Sequence, residues 1–194
     1  MFLMQEKICR EGKVLPGNIL KVGSFLNQQL DIAFLSECAK EIARLFGDEH
    51  ITKVITIEAS GIALAALAAQ ALGVDAVIVK KHASANQSKD VYTAEIDSFT
   101  HGNTYTAAVA KEYLLAEDRF LIVDDFLACG NALIGLKNII EQSGATLVGA
   151  AIAIEKKFQG GGDLLRASGM RIESLAMIES MTDTSLTFFT PSTL

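Results

Sequence analysis

The chain has 194 residues, of which 50% are hydrophobic and 21% charged, and a net charge of -6 at pH 7. That length and apolar content suffice for one domain with a substantial core and exclude wholesale disorder. The acidic balance excludes a generic nucleic-acid surface, which carries a basic stripe, although a local basic pocket stays compatible with it.

The first residues include Glu6 and Lys7 without a long apolar stretch, so they do not read as a signal peptide. Residues 1–30, including VLPGNILKVGSFLNQQL, read as an irregular cap. Residues 31–46 carry apolar side chains at Ile32, Leu35, Ala39, Ile42 and Leu45, close to helical period, with Asp31 as N-cap and Gly47 as stop. Residues 51–57 (ITKVITI) are β-branched and strand-like, 61–72 are helical and stopped by Gly73, and 74–79 form another strand. The apolar segment 61–72 is too short to span a bilayer, which points to a soluble protein.

A polar stretch follows from His82, and the alternating segments 93–99 and 104–111 predict a hairpin projecting from the sheet. Long insertions of this kind in α/β domains are lids or binding loops. Residues 120–123 and 146–154 read as strands flanking a helix over 131–143, which Gly144 terminates. Residues 171–178 and 185–189 read as a strand pair that caps the same edge as the N-terminal segment, and Gly160–Gly162 reads as a flexible turn. No repeat or low-complexity linker interrupts the chain, so a single domain is the simplest organisation. Strands separated by helices of about a dozen residues imply βαβ units, hence a parallel sheet with helices on both faces.

Ligands of open α/β sheets bind beyond the carboxyl ends of the strands. Four polar stations occupy those positions: Glu58-Ala59-Ser60-Gly61, Lys80-Lys81-His82, Asp124-Asp125 onward, and Glu155-Lys156-Lys157-Phe158. Ala128, Cys129, Gly130, Asn131 and Ala132 open a helix whose free N–H groups would attract a phosphate, although a plain helix start would look the same. Ala59, Ser60 and Gly61 suit a second anionic group or an ordinary turn. Lys80 and Lys81 could meet a pyrophosphate or be a solvated pair. Lys156 with Phe158 could grip a heterocyclic base by its edge and face, and Phe158 alone could be rim packing. His50, His82 and His101 lack metal-ligand spacing. Cys9, Cys38 and Cys129 form no CxxC pair, so neither a disulfide framework nor a zinc site is indicated and a reducing cytoplasm fits best. No GxSxG elbow or triad spacing signals covalent catalysis.

The segment LIVDDFLACGNA, an apolar run, two acids and a small-residue loop, resembles the phosphoribosyl pyrophosphate (PRPP) motif of the type I phosphoribosyltransferases. LKVGSFLNQQLD, ITKVITIEASGIALA and AIEKKFQ extend the resemblance over most of the chain and are similar to the bacterial members that use xanthine. The resemblance implies an α/β fold, a single-domain open parallel sheet flanked by helices. To this it adds a small hood from residues 1–30 and 155–194 and a flexible hairpin lid over residues 82–104. It implies that Ala128, Cys129, Gly130, Asn131 and Ala132 hold the 5-phosphate, that Asp124 and Asp125 engage the ribose hydroxyls, and that Ala59, Ser60 and Gly61 approach the pyrophosphate with catalytic Lys81 nearby. Leu20, Asn27 and Lys156 would hold the purine and Phe158 would stack on it. Mg²⁺ would be bound mainly through PRPP, and the assembly would be a cytoplasmic homodimer acting on xanthine and PRPP, with no nucleic-acid or membrane partner. The alternatives are a hypoxanthine-guanine or adenine enzyme, or a PRPP-sensing regulator on the same fold. Cys129, Asn131 and Ala132 stand where many relatives have threonine and a further glycine, and Ala128 where hypoxanthine-guanine relatives have an aspartate.

Overall fold

A computed structural model describes residues 2–81, 90–97 and 104–190. Among them a six-stranded sheet runs in the order β10-β9-β8-β7-β3-β4, with β3 at Lys53–Ile57, β4 at Asp75–Val79, β7 at Arg119–Leu127, β8 at Thr146–Lys156, β9 at Ile172–Met181 and β10 at Leu186–Phe188. All neighbours are parallel except β10, which is antiparallel to β9. The sheet is therefore mixed, not purely parallel as expected. The C-terminal strand pair is part of it and not of a cap: β9 pairs with β8 from Ala150↔Ile172 to Lys156↔Ile178.

Strand periodicity divides the core. Val54, Leu121, Val123, Ala151 and Ala153 point to one face, while Ile55, Phe120, Ile122, Ala150 and Ile152 point to the other, and all are buried. The first face receives α1 (Phe2–Glu11), α2 (Ile32–Phe46) and α3 (Ile62–Leu72) through Met4, Ile8, Leu35, Ile42, Leu64 and Ala68. The second receives α4 (Asn131–Ser143) and α5 (Gly161–Ala167) through Leu133, Leu136, Ile139, Ile140 and Leu165. Asp31 caps α2 by accepting the Phe34 N–H at 3.1 Å. The α-helix ends at Phe46 with Gly47 as its C-cap, as expected, and a 3-10 turn, Gly47–Glu49, follows it to left-handed His50.

The N-terminal segment is more regular than expected. After α1 come the paired strands β1 (Lys13–Leu15) and β2 (Ile19–Lys21), then a π-helical turn at Gly23–Asn27. Lys7 is almost buried and fastens this segment, its Nζ lying 2.6 Å from Asp31 Oδ2 and 2.9 Å from Glu11 Oε1, over the rings of Phe25 and Phe34.

The expected hairpin is present as β5 (Val91–Asp97) and β6 (Thr104–Ala110), but it is docked and does not project. Ile96 packs where a Cβ on Gly135 of α4 would collide with it, and Gln142 Nε2 donates to Thr93 O at 2.8 Å. Most of the proposed lid, residues 82–89 and 98–103, lies outside the described residues, as do His82 and His101.

At the sheet edge remote from these loops, Asp118 ties the start of β7 to the start of β3. It accepts from Lys53 Nζ at 2.8 Å, the Leu115 N–H at 2.8 Å and Thr52 Oγ1 at 3.0 Å. Burial alone would raise the pKa of its carboxyl, but the Lys53, Leu115 and Thr52 hydrogen bonds hold it below the usual range. A depressed carboxylate stabilises the fold above its unfolded pKa, about 3.9, and that stabilisation is lost as pH falls through the folded value. Asp118→Ala is therefore expected to cost about 2–3 kcal/mol at pH 7. The deficit in urea midpoint relative to wild type should shrink as the pH falls below about 4.

Candidate active site

A cleft of about 230 Å³ opens at the carboxyl ends of β3 and β7. It forms because β7 pairs with β3 only as far as Ile55↔Ile122, while on its other side it follows β8 to Leu127↔Glu155. Asp124 and Asp125 lie in this one-sided extension, within the strand and not beyond it as expected.

Both acids line the cleft, and Asp124 is 6% exposed. The Asp124 Oδ1 accepts the Asp125 N–H at 2.9 Å. Burial, then the neighbouring Asp125 carboxylate, pushes the Asp124 pKa well up, and burial likewise raises that of Asp125; the nearby Lys81 ammonium opposes both shifts. Two desolvated carboxyls side by side create a demand for hydroxyl donors or a cation, which favour their charged forms.

The five residues from Ala128 to Ala132 line the same cleft. Gly130 takes a left-handed conformation at φ 90°, which an L side chain rarely adopts, and turns the chain into α4. No side chain caps α4, so its first N–H groups face the cleft without an internal side-chain acceptor. Asn131 donates its side-chain amide to Asp97 O at 3.0 Å, so its side chain holds the β5 wall while its backbone opens the helix.

Across the cleft, Glu58, Ala59 and Ser60 follow β3, and the Glu58–Ala59 peptide is cis. Gly61 lies behind this lining: a Cβ there would stand 2.5 Å from Thr56 Oγ1 and 2.6 Å from Asp124 Oδ1. Thr56 Oγ1 is buried and has no hydrogen-bond partner among the described residues. The two lysines divide. Lys80 Nζ is 3.1 Å from Glu58 Oε2, and its backbone bridges to Ala108. Lys81 Nζ instead lies over the Tyr105 ring, 5.3 Å from its centroid, at the cleft. The Glu58 carboxylate also accepts the Lys81 N–H at 2.8 Å, which fixes that divergence.

Of the expected residues, the cleft brings together Ala59, Ser60, Lys81, Asp124, Asp125, Ala128, Cys129, Gly130, Asn131 and Ala132. Leu20, Asn27, Lys156 and Phe158 do not line it. Leu20 is buried in the N-terminal core and Asn27 is exposed at the end of the π-helical turn. Lys156 Nζ donates to Asn18 O at 2.8 Å and lies 5.6 Å from the centroid of the Phe126 ring. Burial lowers its pKa. Phe158 is 37% exposed. Phe126, which does line the cleft, connects the two groups. Sequence reasoning missed Phe126 as well as Ile96, Asp97 and Tyr105 of the hairpin wall; the aromatic directly after the acid pair was the available signal for the first.

Among the described residues, no cluster of three or more His, Cys, Asp or Glu is arranged to hold a metal alone. His50 is exposed, and Cys9, Cys38 and Cys129 are free thiols, with burial pushing the Cys38 pKa up to about 12. No described helix is long and apolar enough to cross a membrane.

Residues 26–175 match the phosphoribosyl transferase domain family. Over 188 residues the chain is 50% identical to the xanthine phosphoribosyltransferase of Ruminiclostridium cellulolyticum, covering 97% of this chain and 99% of that protein. It is 47% identical to the protein of the same name from Bacillus cytotoxicus, covering 97% and 95%. The APRTase of Giardia lamblia in complex with 9-deazaadenine superposes with a TM-score of 0.77 at 24% identity, over 92% of this chain and 98% of that one. The adenine phosphoribosyltransferase of Rhodothermus marinus gives 0.73 at 20% identity, over 91% and 99%. At these identities the two structures speak to the fold.

Proposed function

The chain belongs to the phosphoribosyltransferase family, and from that premise we propose that it is a purine-salvage enzyme converting xanthine and PRPP into xanthosine 5'-monophosphate and pyrophosphate. The near-full-length similarity to proteins named for xanthine supports the base. The single structural observation that carries the donor is the cleft in which the buried acid pair faces an uncapped helix start and a second small-residue loop.

In this reading the N–H groups of Ala128, Cys129, Gly130, Asn131 and Ala132 receive the 5-phosphate, assisted by the positive end of α4. Asp124 and Asp125 accept the ribose hydroxyls and orient the anomeric carbon. Ala59, Ser60 and Gly61 bring backbone to the pyrophosphate, and Lys81 offsets the charge that develops as the C1–O bond breaks and the bond to the purine nitrogen forms. A hard dication favours oxygen ligands, and buried acids that repel one another fit it. Asp124 and Asp125 would hold Mg²⁺ in company with the substrate's oxygens, where it would neutralise phosphate charge. Leu20, Asn27, Lys156 and Phe158 form the base end, with residues 82–104 acting as a lid and the N-terminal segment as a hood. A cytoplasmic homodimer completes the proposal, with three free thiols suited to a reducing compartment.

Xanthine carries two exocyclic oxygens and is weakly acidic, so an ammonium at its rim discriminates in its favour. Incubation with PRPP and each of xanthine, guanine, hypoxanthine and adenine is expected to show the highest kcat/KM for xanthine. Lys156→Met should lower that value about 10- to 100-fold, chiefly through KM. A preference for adenine, or no nucleotide from any base, would overturn the assignment.

A further inference from the structure

Glu155 is fully buried at the end of β8, and no substrate role has been given to it. A buried carboxylate persists only when its charge is paired and its oxygens are hydrogen-bonded. Arg166 of α5 supplies both, donating from Nη1 to Oε1 at 2.8 Å and from Nη2 to Oε2 at 2.6 Å. Ser174 of β9 donates its hydroxyl to the same Oε2 at 2.5 Å. One carboxylate thus joins β8, β9 and α5.

The other side of α5 touches the phosphate loop. A Cβ on Gly161 would collide with the Ala128 carbonyl and the Cys129 backbone, and a Cβ on Gly162 would collide with Glu155 Oε1. Leu165 Cδ1 lies 3.0 Å from where a Cβ on Gly130 would stand. Two of the three glycines expected as a flexible turn, Gly161 and Gly162, are therefore a close-packed contact: their missing side chains let α5 press against the loop while the carboxylate holds it from behind.

We propose that Glu155, Arg166 and Ser174 form a positioning clamp that sets the Ala128–Ala132 loop for the donor's phosphate through α5. The inference rests on the phosphate assignment made above for that loop. Lysine keeps the charge of Arg166 but not its planar fork, so it loosens the clamp without stranding the acid. Arg166→Lys is expected to raise KM for PRPP about tenfold or more. KM for xanthine should stay within about twofold, because Lys156, although next to Glu155, is held by Asn18 O and lies over the Phe126 ring and is not bound by the clamp.

Glu155→Met combined with Arg166→Met removes both charges, and apolar replacement of a buried ion pair is often neutral for stability. This double variant is expected to melt near wild type yet retain the raised KM for PRPP. Ser174→Ala, which leaves the ion pair in place, should give a smaller shift of the same sign and decides the matter where the other variants do not fold. Calorimetric titration with ribose 5-phosphate should follow the same order of affinities. Folded variants with wild-type KM for PRPP, or with equal rises in both KM values, would overturn the clamp. A wild-type protein that binds ribose 5-phosphate but forms no nucleotide from PRPP and any base would instead overturn the proposed function and leave the titration to judge the clamp.

Discussion

Asp124→Asn combined with Asp125→Asn is expected to lower kcat about 10²- to 10³-fold while leaving a folded protein that melts a few °C higher than wild type. The loss follows from the role proposed for the pair, since amides carry no charge with which to accept ribose hydroxyls. The gain follows from the raised pKa values. A carboxyl whose folded pKa exceeds its unfolded value binds more protons in the native state, so native stability falls as pH rises through that window. Above its unfolded value each such carboxyl carries that penalty, whether by ionising in the cleft or by taking up a proton, and the amides remove it. Wild-type stability should therefore increase as the pH is lowered from the raised values toward about 3.9, and the double variant should lack that component. Thermal melts from pH 4 to 8 beside initial rates test both halves. A variant with near-normal turnover would show that the pair does not serve the reaction.

Gly61→Ala is expected to damage stability and activity together. Its Cβ would fall 2.5 Å from Thr56 Oγ1, 2.6 Å from Asp124 Oδ1 and 3.3 Å from Asp124 Cα. Thr56 belongs to a central strand and has little freedom at χ1, so the strain passes to Asp124 and to the Ala59–Ser60 loop. Overpacking of this kind costs about 1–3 kcal/mol. Displacing both the proposed ribose ligand and the opposite wall should lower kcat/KM by roughly a hundredfold. Gly47→Ala is the control: it has no neighbour within 4 Å of a Cβ and a φ of -60°, so it should be neutral or slightly stabilising. Equal melting temperatures and rates for the two variants would refute the account of Gly61.

What the residue pattern revealed follows from the range over which each signal acts. The span of α4 was readable because Gly130 and Gly144 bound a periodic run, and the hairpin because β5 and β6 alternate. The grouping of the loops at the cleft was readable for a related reason: each follows its own strand directly. Other features depend on partners remote in sequence. Alternation in 171–178 is the same for a capping strand and for a central one, and only the pairing of Ile172 with Ala150 distinguishes them. Among the described side chains of helix α1 the inward apolar ones are Met4 and Ile8, whose weight appears only against the rest of the core. Gly161 and Gly162 resembled a hinge because the backbone and carboxylate that exclude a Cβ come from residues 128, 129 and 155. The placement of Ile96, Asp97 and Tyr105 on the cleft needed the docking of the hairpin on α4.

The point where β3 and β7 part company carries one more implication. Their ladder stops at Ile55↔Ile122 although β3 continues to Ile57 and β7 to Leu127. Those unzipped residues are where the sheet forgoes cohesion to make room for a guest. Foldedness and activity thus compete for the same few backbone groups, and substitutions that tighten the central sheet near Thr56 and Val123 should yield sturdier but poorer enzymes. A search for thermostable variants would do better at the far edge, around Asp118, where no such rivalry exists.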